Sequence, residues 1–311
     1  MAAQMTANRD ELVNRLRARL LAWANPAGWG YERGKTSRVE PTCWALLALG
    51  NSGTESQEAW AAFARPHVAF LAGLQSTDGL LVETDPALAN LGANGLAAIV
   101  LANQRALAPA ATRSRLHGGL MGVKGARLQQ IDPKQDSTLQ GWPWVRDTFS
   151  WVEPTAWCVL ALKVAGRDVG RELDSKAVTA RQDEAGRLLA NRMCVGGGWN
   201  YGNAVALNQD LRPYVPTTAV ALLSLQDRRD EDFAKQSLAW LQSQRLAEAG
   251  TMTLALVSLC LRLYHVPTDD VDDRLAEAVA HSDDRGNVHA IAMALYALTA
   301  DQHQGDALRV A

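Results

Sequence analysis

The chain has 311 residues, of which 48% are apolar and 21% charged, and its formal net charge is −2. Near-neutrality leaves no basic surface for nucleic acid and no polybasic segment for a membrane surface. No run reaches the roughly 18 apolar residues of a spanning helix, and the stretch around Arg9, Asp10 and Glu11 lacks an apolar signal core, so a cytoplasmic location is expected.

In chain order, apolar positions recur at helical spacing between Asp10 and Trp23, which predicts an amphipathic helix. The turn Asn25-Pro26-Ala27-Gly28-Trp29-Gly30-Tyr31 leads to an almost wholly apolar segment from Glu40 to Leu49. Its proline sits where a first-turn residue needs no N–H, and alanine and leucine carry the helix onward. A helix apolar on all sides is one buried among other helices. Residues 57–75 are amphipathic, 87–103 apolar, and 104–117 weakly amphipathic. A long irregular segment, about 117–140, then delivers Gly141-Trp142-Pro143-Trp144 and Trp151. Amphipathic stretches at 171–192, 230–245 and 269–281 alternate with apolar ones at 152–162, 216–225, 250–264 and 287–298.

Val152-Glu153-Pro154-Thr155-Ala156-Trp157-Cys158-Val159-Leu160-Ala161-Leu162 repeats Val39-Glu40-Pro41-Thr42-Cys43-Trp44-Ala45-Leu46-Leu47-Ala48-Leu49 at eight of eleven positions. Internal repetition of the most buried helix marks a repeat architecture. Six apolar helices, each preceded by an amphipathic one, predict an all-α fold, an (α/α)6 toroid of six inner and six outer helices. One domain is expected over 1–311, with the irregular insertion at about 117–140. The four cysteines are too scattered for a disulfide framework or a zinc ribbon.

The helix start Pro-Thr-x-x-x-x-Leu-x-Leu, the turns Gly28-Trp29-Gly30-Tyr31 and Gly197-Gly198-Trp199-Asn200-Tyr201, and the run Phe70-Leu71…Gln75…Asp78-Gly79 resemble the prenyltransferase/squalene-cyclase repeat family. The resemblance covers roughly 23–300 and implies an isoprenoid ligand in a central apolar cavity. The chain has length for one barrel, where triterpene and class II diterpene cyclases have two. It also lacks the Asp-x-Cys zinc motif of protein prenyltransferase β subunits.

Asp270-Val271-Asp272-Asp273 matches the first four letters of the class II acid motif, Asp-x-Asp-Asp-Thr-Ala, and Asp269–Asp273 matches a class I metal motif. Arg274-Leu275-Ala276-Glu277 follows, so this run is expected to open an outer helix, whose N-terminus favours acids. Aligning Thr155-Ala156 on the family's Thr-Ala puts Glu153 on the catalytic Asp. Glu40 takes that place in the first apolar helix, His289 in the sixth, and Gly92, Pro216 and Gly250 in the second, fourth and fifth. Glu153 is therefore the candidate proton donor. Glu40 and His289 are expected to meet across neighbouring helices, 8–10 Å apart, and to tune it.

Trp44 and Trp157, one turn below the glutamates, would offer ring faces to a carbocation. Trp142, Trp144, Trp151, Trp199 and Tyr201, with Trp29 and Tyr31, are expected to be exposed turn aromatics at the mouth. Each assignment has a structural counterpart: helix capping for the glutamates, core packing for Trp44 and Trp157, and bracing of neighbouring repeats for the turn rings. No metal site is expected, although Mg with a diphosphate substrate, or Zn on Glu40, Glu153 and His289, would suit the ligand types. Lys124, Arg127 and Lys134 of the irregular segment would be the basic groups for a diphosphate. The alternative function is a noncatalytic binding or scaffold module that holds a peptide or partner protein at the mouth.

Overall fold

A computed structural model describes residues 2–50, 56–127, 135–164, 174–283, 285–300 and 306–310, the side chains of 2–8 and 280–283 excepted. The expectation of an all-α chain holds: twelve α-helices and one short hairpin are present among the described residues. The helices are α1 Ala2–Ala22, α2 Val39–Gly50, α3 Gln57–Gly73, α4 Leu91–Asn103, α5 Ala110–Gly122, α6 Val152–Val164, α7 Ser175–Asn191, α8 Val215–Ser224, α9 Asp232–Gln244, α10 Thr251–Leu263, α11 Asp269–Asp283 and α12 Val288–Leu298. The chain forms two compact units, residues 1–71 with 245–306 and residues 72–244 with 307–311.

In the first unit the apolar helix α12 packs against both α2 and α10, and the amphipathic α1 and α11 pack beside α12. In the second, α6 lies between α4 and α8, with α5 against α4, α7 against α6 and α9 against α8. Each unit thus has three apolar helices side by side. Their side chains are almost all buried, as sequences with no polar face require. Close approach is glycine-dependent at Gly95 of α4, where a Cβ would lie 2.7 Å from the Trp157 carbonyl carbon of α6.

Helix starts follow local chemistry. Asn90 and Asn287 are N-caps whose side chains accept from Ala93 N and Ala290 N. The third outer helix differs from expectation. It begins after Pro109 and runs through Gly118-Gly119 to Gly122, so irregular chain starts at Val123 and not at 117. The reason is packing: a Cβ on Gly119 would lie 2.9 Å from the Asp78 carbonyl, so that glycine serves contact and not termination. Between Trp199 and α8 an antiparallel hairpin pairs Val205–Ala206 with Gln209–Asp210. Its turn residues Leu207 and Asn208 both have positive φ, 50° and 60°, as a type I′ turn demands.

Candidate functional site

The Gly-Trp turns explain how the apolar helices are held. Trp29 donates its backbone N–H to Thr42 Oγ1 (2.9 Å) and its indole N–H to the Leu20 carbonyl at the end of α1 (2.8 Å). The Thr42 hydroxyl donates back to the Trp29 carbonyl (3.3 Å). Trp142 repeats this with Thr155 and Leu120, and Trp199 with Thr218 and Leu189. Each indole therefore adds a hydrogen bond to a carbonyl in the last turn of a helix. The turn before α4 has Leu81 in place of tryptophan, and the Asn94 amide makes both backbone bonds in place of the threonine hydroxyl.

Trp29, Trp142 and Trp199 are fully buried in these clamps. The expectation that they are exposed mouth aromatics is corrected for these three, because the indole N–H is committed to a helix carbonyl inside the core. A third side chain completes each clamp. His67 of α3 accepts the Gly28 N–H at Nδ1 (2.7 Å) and lies 4.2 Å from the Trp29 ring. Ser237 of α9 accepts the Gly198 N–H (3.0 Å). Arg181 of α7 donates to the Gly141 carbonyl (2.8 Å) and places its guanidinium 3.7 Å over Trp142. Burial pushes the His67 imidazole down to about 4.

The register of the six apolar helices follows from one hydrogen bond apiece, from the N–H of the fourth residue to the N-cap carbonyl. The pairs are Thr42–Arg38, Asn94–Asn90, Thr155–Trp151, Thr218–Tyr214, Leu254–Gly250 and Ile291–Asn287. Second positions are then Glu40, Met252 and His289 in the first unit, and Gly92, Glu153 and Pro216 in the second. The fifth helix corrects the alignment: Gly250 is its N-cap, and the exposed Met252 holds the equivalent place.

The aromatic residue two places after each clamp tryptophan links two helix starts. The Tyr31 carbonyl accepts the Val288 N–H (3.0 Å) and caps α12. The carbonyls of Trp144 and Tyr201 do the same for Leu91 of α4 and Val152 of α6. In the first unit this brings a polar cluster together. The Tyr31 hydroxyl donates to Glu40 Oε2 (2.8 Å), and its ring meets the His289 imidazole edge-on at 5.5 Å. His289 Nε2 lies 3.8 Å from Glu40 Oε1. The meeting of Glu40 with His289 is as the register required.

Nε2 is buried and makes no hydrogen bond among the described residues. Burial lowers the affinity of this imidazole for a proton, and the Glu40 carboxylate partly offsets that. Tyr31 was missed as a partner of Glu40. Its signal was the recurrence of an aromatic residue two places after the turn tryptophan, as Tyr31, Trp144 and Tyr201.

The second unit presents different groups. Trp144 is half-buried and covers Gly92, where a Cβ would lie 3.1 Å from its ring. Trp151 is half-buried, with its ring 4.6 Å from that of Phe149. Tyr201 is 51% exposed and stacks on Tyr214 at 4.8 Å. Glu153 is half-buried at the start of α6. Trp44 and Trp157 are core residues, Trp44 packing edge-on against Tyr296 at 6.0 Å.

The acidic run at 269–273 opens α11, as expected of a helix N-terminus. Asp272 is buried and accepts from Ser258, Thr268, Arg262 and Arg9, while Asp270 pairs with Arg245. Carboxylates occupied by arginines do not fit a Mg–diphosphate centre. Lys124 pairs with Glu184, and Lys134 lies outside the described residues. Among the described residues no three His, Cys, Asp or Glu side chains gather as a metal-binding group. All four cysteines are buried free thiols, and burial raises those of Cys158, Cys194 and Cys260, which makes them poor nucleophiles. No described helix is long and apolar enough to cross a membrane.

No protein-family model matches the chain, and no curated protein matches it. Among solved structures, the crystal structure of a protein from Actinoplanes is similar over 93% of this chain and 98% of its own. The TM-score is 0.55 at 14% identity. A likeness at that identity concerns the fold and carries no activity.

Proposed function

We propose that the protein is an (α/α)6 toroid of prenyltransferase/squalene-cyclase type, which binds an isoprenoid chain with its polar end at Tyr31, Glu40 and His289. The observation that carries this reading is the buried imidazole 3.8 Å from a carboxylate, at the N-terminal ends of two adjacent apolar helices. Alternation of apolar with amphipathic helices supports the toroid.

The cluster suits binding better than acid-initiated cyclisation. Glu40 accepts from Tyr31, and burial keeps His289 neutral, so neither is placed to protonate an alkene. Glu153, the donor expected from the family alignment, remains the second carboxylate of the same register. Trp44, Trp157, Trp142 and Trp199 are buried packing and clamp residues.

Thermal melts with isoprenoid alcohols, diphosphates and hydrocarbons test the reading, because a ligand bound only by the folded state raises the melting temperature. An upward shift with one chain length, diminished in Glu40→Gln, is expected. A flat response across the panel refutes it.

A second reading, a module that holds a partner protein, is favoured by one feature of the second unit. Tyr201, Leu207, Leu211 and Tyr214 are all exposed on and around the hairpin, Leu207 at 94%. That reading expects a partner to copurify with the wild type and to be lost from Leu207→Asp.

A further inference from the structure

We infer that the Tyr31–Glu40–His289 cluster is a binding site for a neutral hydroxyl group, which receives a hydrogen bond from His289 and gives one to Glu40. This rests on the ligand-binding reading above and names the chemistry of the ligand's polar end. Tyr31 already donates to Glu40 Oε2, so Oε1 is the carboxylate oxygen that faces the imidazole. The gap of 3.8 Å between Oε1 and Nε2 is too long for a direct hydrogen bond. An oxygen about 2.8 Å from each atom spans that gap.

The tautomer follows from the neighbour. A lone pair on Nε2 would face a carboxylate across that distance, whereas an N–H there points its positive end at the charge. Nε2 thus offers one donor and Oε1 one acceptor, the complement of an alcohol. A diphosphate would meet the Glu40 charge with its own, and a hydrocarbon would leave the buried Nε2 unpaired. Solvent reaches the cluster at Tyr31, 41% exposed, and at the Glu40 side chain, 31% exposed, while Nε2 itself is covered, so the ligand's oxygen parts the two groups as it enters. The remainder is fixed before any ligand arrives: the Tyr31 carbonyl caps α12, its ring abuts His289, and its hydroxyl sets the Glu40 rotamer.

The test compares binding of geranylgeraniol, geranylgeranyl diphosphate, squalene and 1-hexadecanol to the full chain, as wild type, Glu40→Gln and His289→Phe. The wild type should prefer geranylgeraniol to the diphosphate and to squalene by on the order of tenfold or more, since a buried partner left unpaired costs that much. Both variants should lose the preference while keeping the wild-type circular dichroism spectrum. The wild-type ranking alone decides the matter if a variant fails to fold. Binding of 1-hexadecanol with no isoprenoid response would uphold the hydroxyl site and sink the isoprenoid reading. Isoprenoids that bind regardless of head group would sink the hydroxyl site and leave that reading standing. Failure of all four probes to bind overturns both.

Discussion

Helices α2 and α6 are near-copies in sequence, yet they open onto different chemistry. Both begin Val-Glu-Pro-Thr, and both fix their threonine to a tryptophan turn by the same pair of hydrogen bonds. The difference comes from the neighbouring helix. Beside Glu40, α12 brings His289 at its second position, and a tyrosine hydroxyl reaches the carboxylate. Against α6, α4 brings Gly92 at that position, and Trp144 covers it. A repeated helix therefore supplies a carboxylate in both units, and the adjacent second position decides whether an imidazole stands beside that carboxylate.

The largest expected effects test what the two regions share. Trp29→Ala and Trp142→Ala should each cost about 3–5 kcal/mol in denaturant unfolding, since each empties a core site and removes an indole hydrogen bond to a helix carbonyl. A mild loss at one of the two would mean that the clamps are not equivalent supports.

Acid should separate them next. His67 has its folded pKa depressed to about 4 against 6.5 unfolded. The unfolded chain then binds more protons between those values, so stability falls as pH drops from 6.5 towards 4, by roughly 3 kcal/mol at most. Melting temperature against pH should show that fall in the wild type, and His67→Gln should flatten it. Arg181 occupies the corresponding place in the clamp before α6, where no comparable titration arises. An unchanged pH profile in His67→Gln would contradict the assignment.

Thr42→Val and Thr155→Val should each cost about 1–3 kcal/mol, the penalty for leaving a buried tryptophan N–H without an acceptor. Equal melting temperatures for wild type and both variants would show that the hydroxyl exchange is dispensable. The smallest effect on folding is expected at the site itself. Glu40→Gln should leave the unfolding free energy of the unliganded protein within about 0.5 kcal/mol of wild type, as for a partly exposed side chain. Glu153→Gln should leave the response to an alcohol ligand intact.

Much of this scaffold was legible in the chain. The six apolar helices lie within a few residues of where hydropathy puts them, because a helix buried on all sides has an unbroken apolar run. The meeting of Glu40 with His289 followed from a shared register. Met252 was missed because α10 lacks the Glu-Pro-Thr start, and Gly250 acts as its cap. The tryptophan clamps were hidden in composition but present in spacing. Thirteen residues separate Trp29 from Thr42, Trp142 from Thr155, and Leu81 from Asn94. Nineteen separate Trp199 from Thr218, because the hairpin lies between them. Exposure was not legible, since apolarity alone does not tell whether an indole N–H finds a carbonyl inside the core.

The most direct measurement is the nitrogen-15 spectrum of the His289 imidazole in uniformly labelled protein at pH 7, recorded before and after addition of geranylgeraniol, with His289→Phe for assignment. A neutral ring protonated at Nε2, whose Nε2 resonance moves on ligand addition, is the result predicted by a site in which that N–H binds a hydroxyl. A ring protonated only at Nδ1, or an Nε2 resonance that stays fixed while the ligand binds, would contradict it.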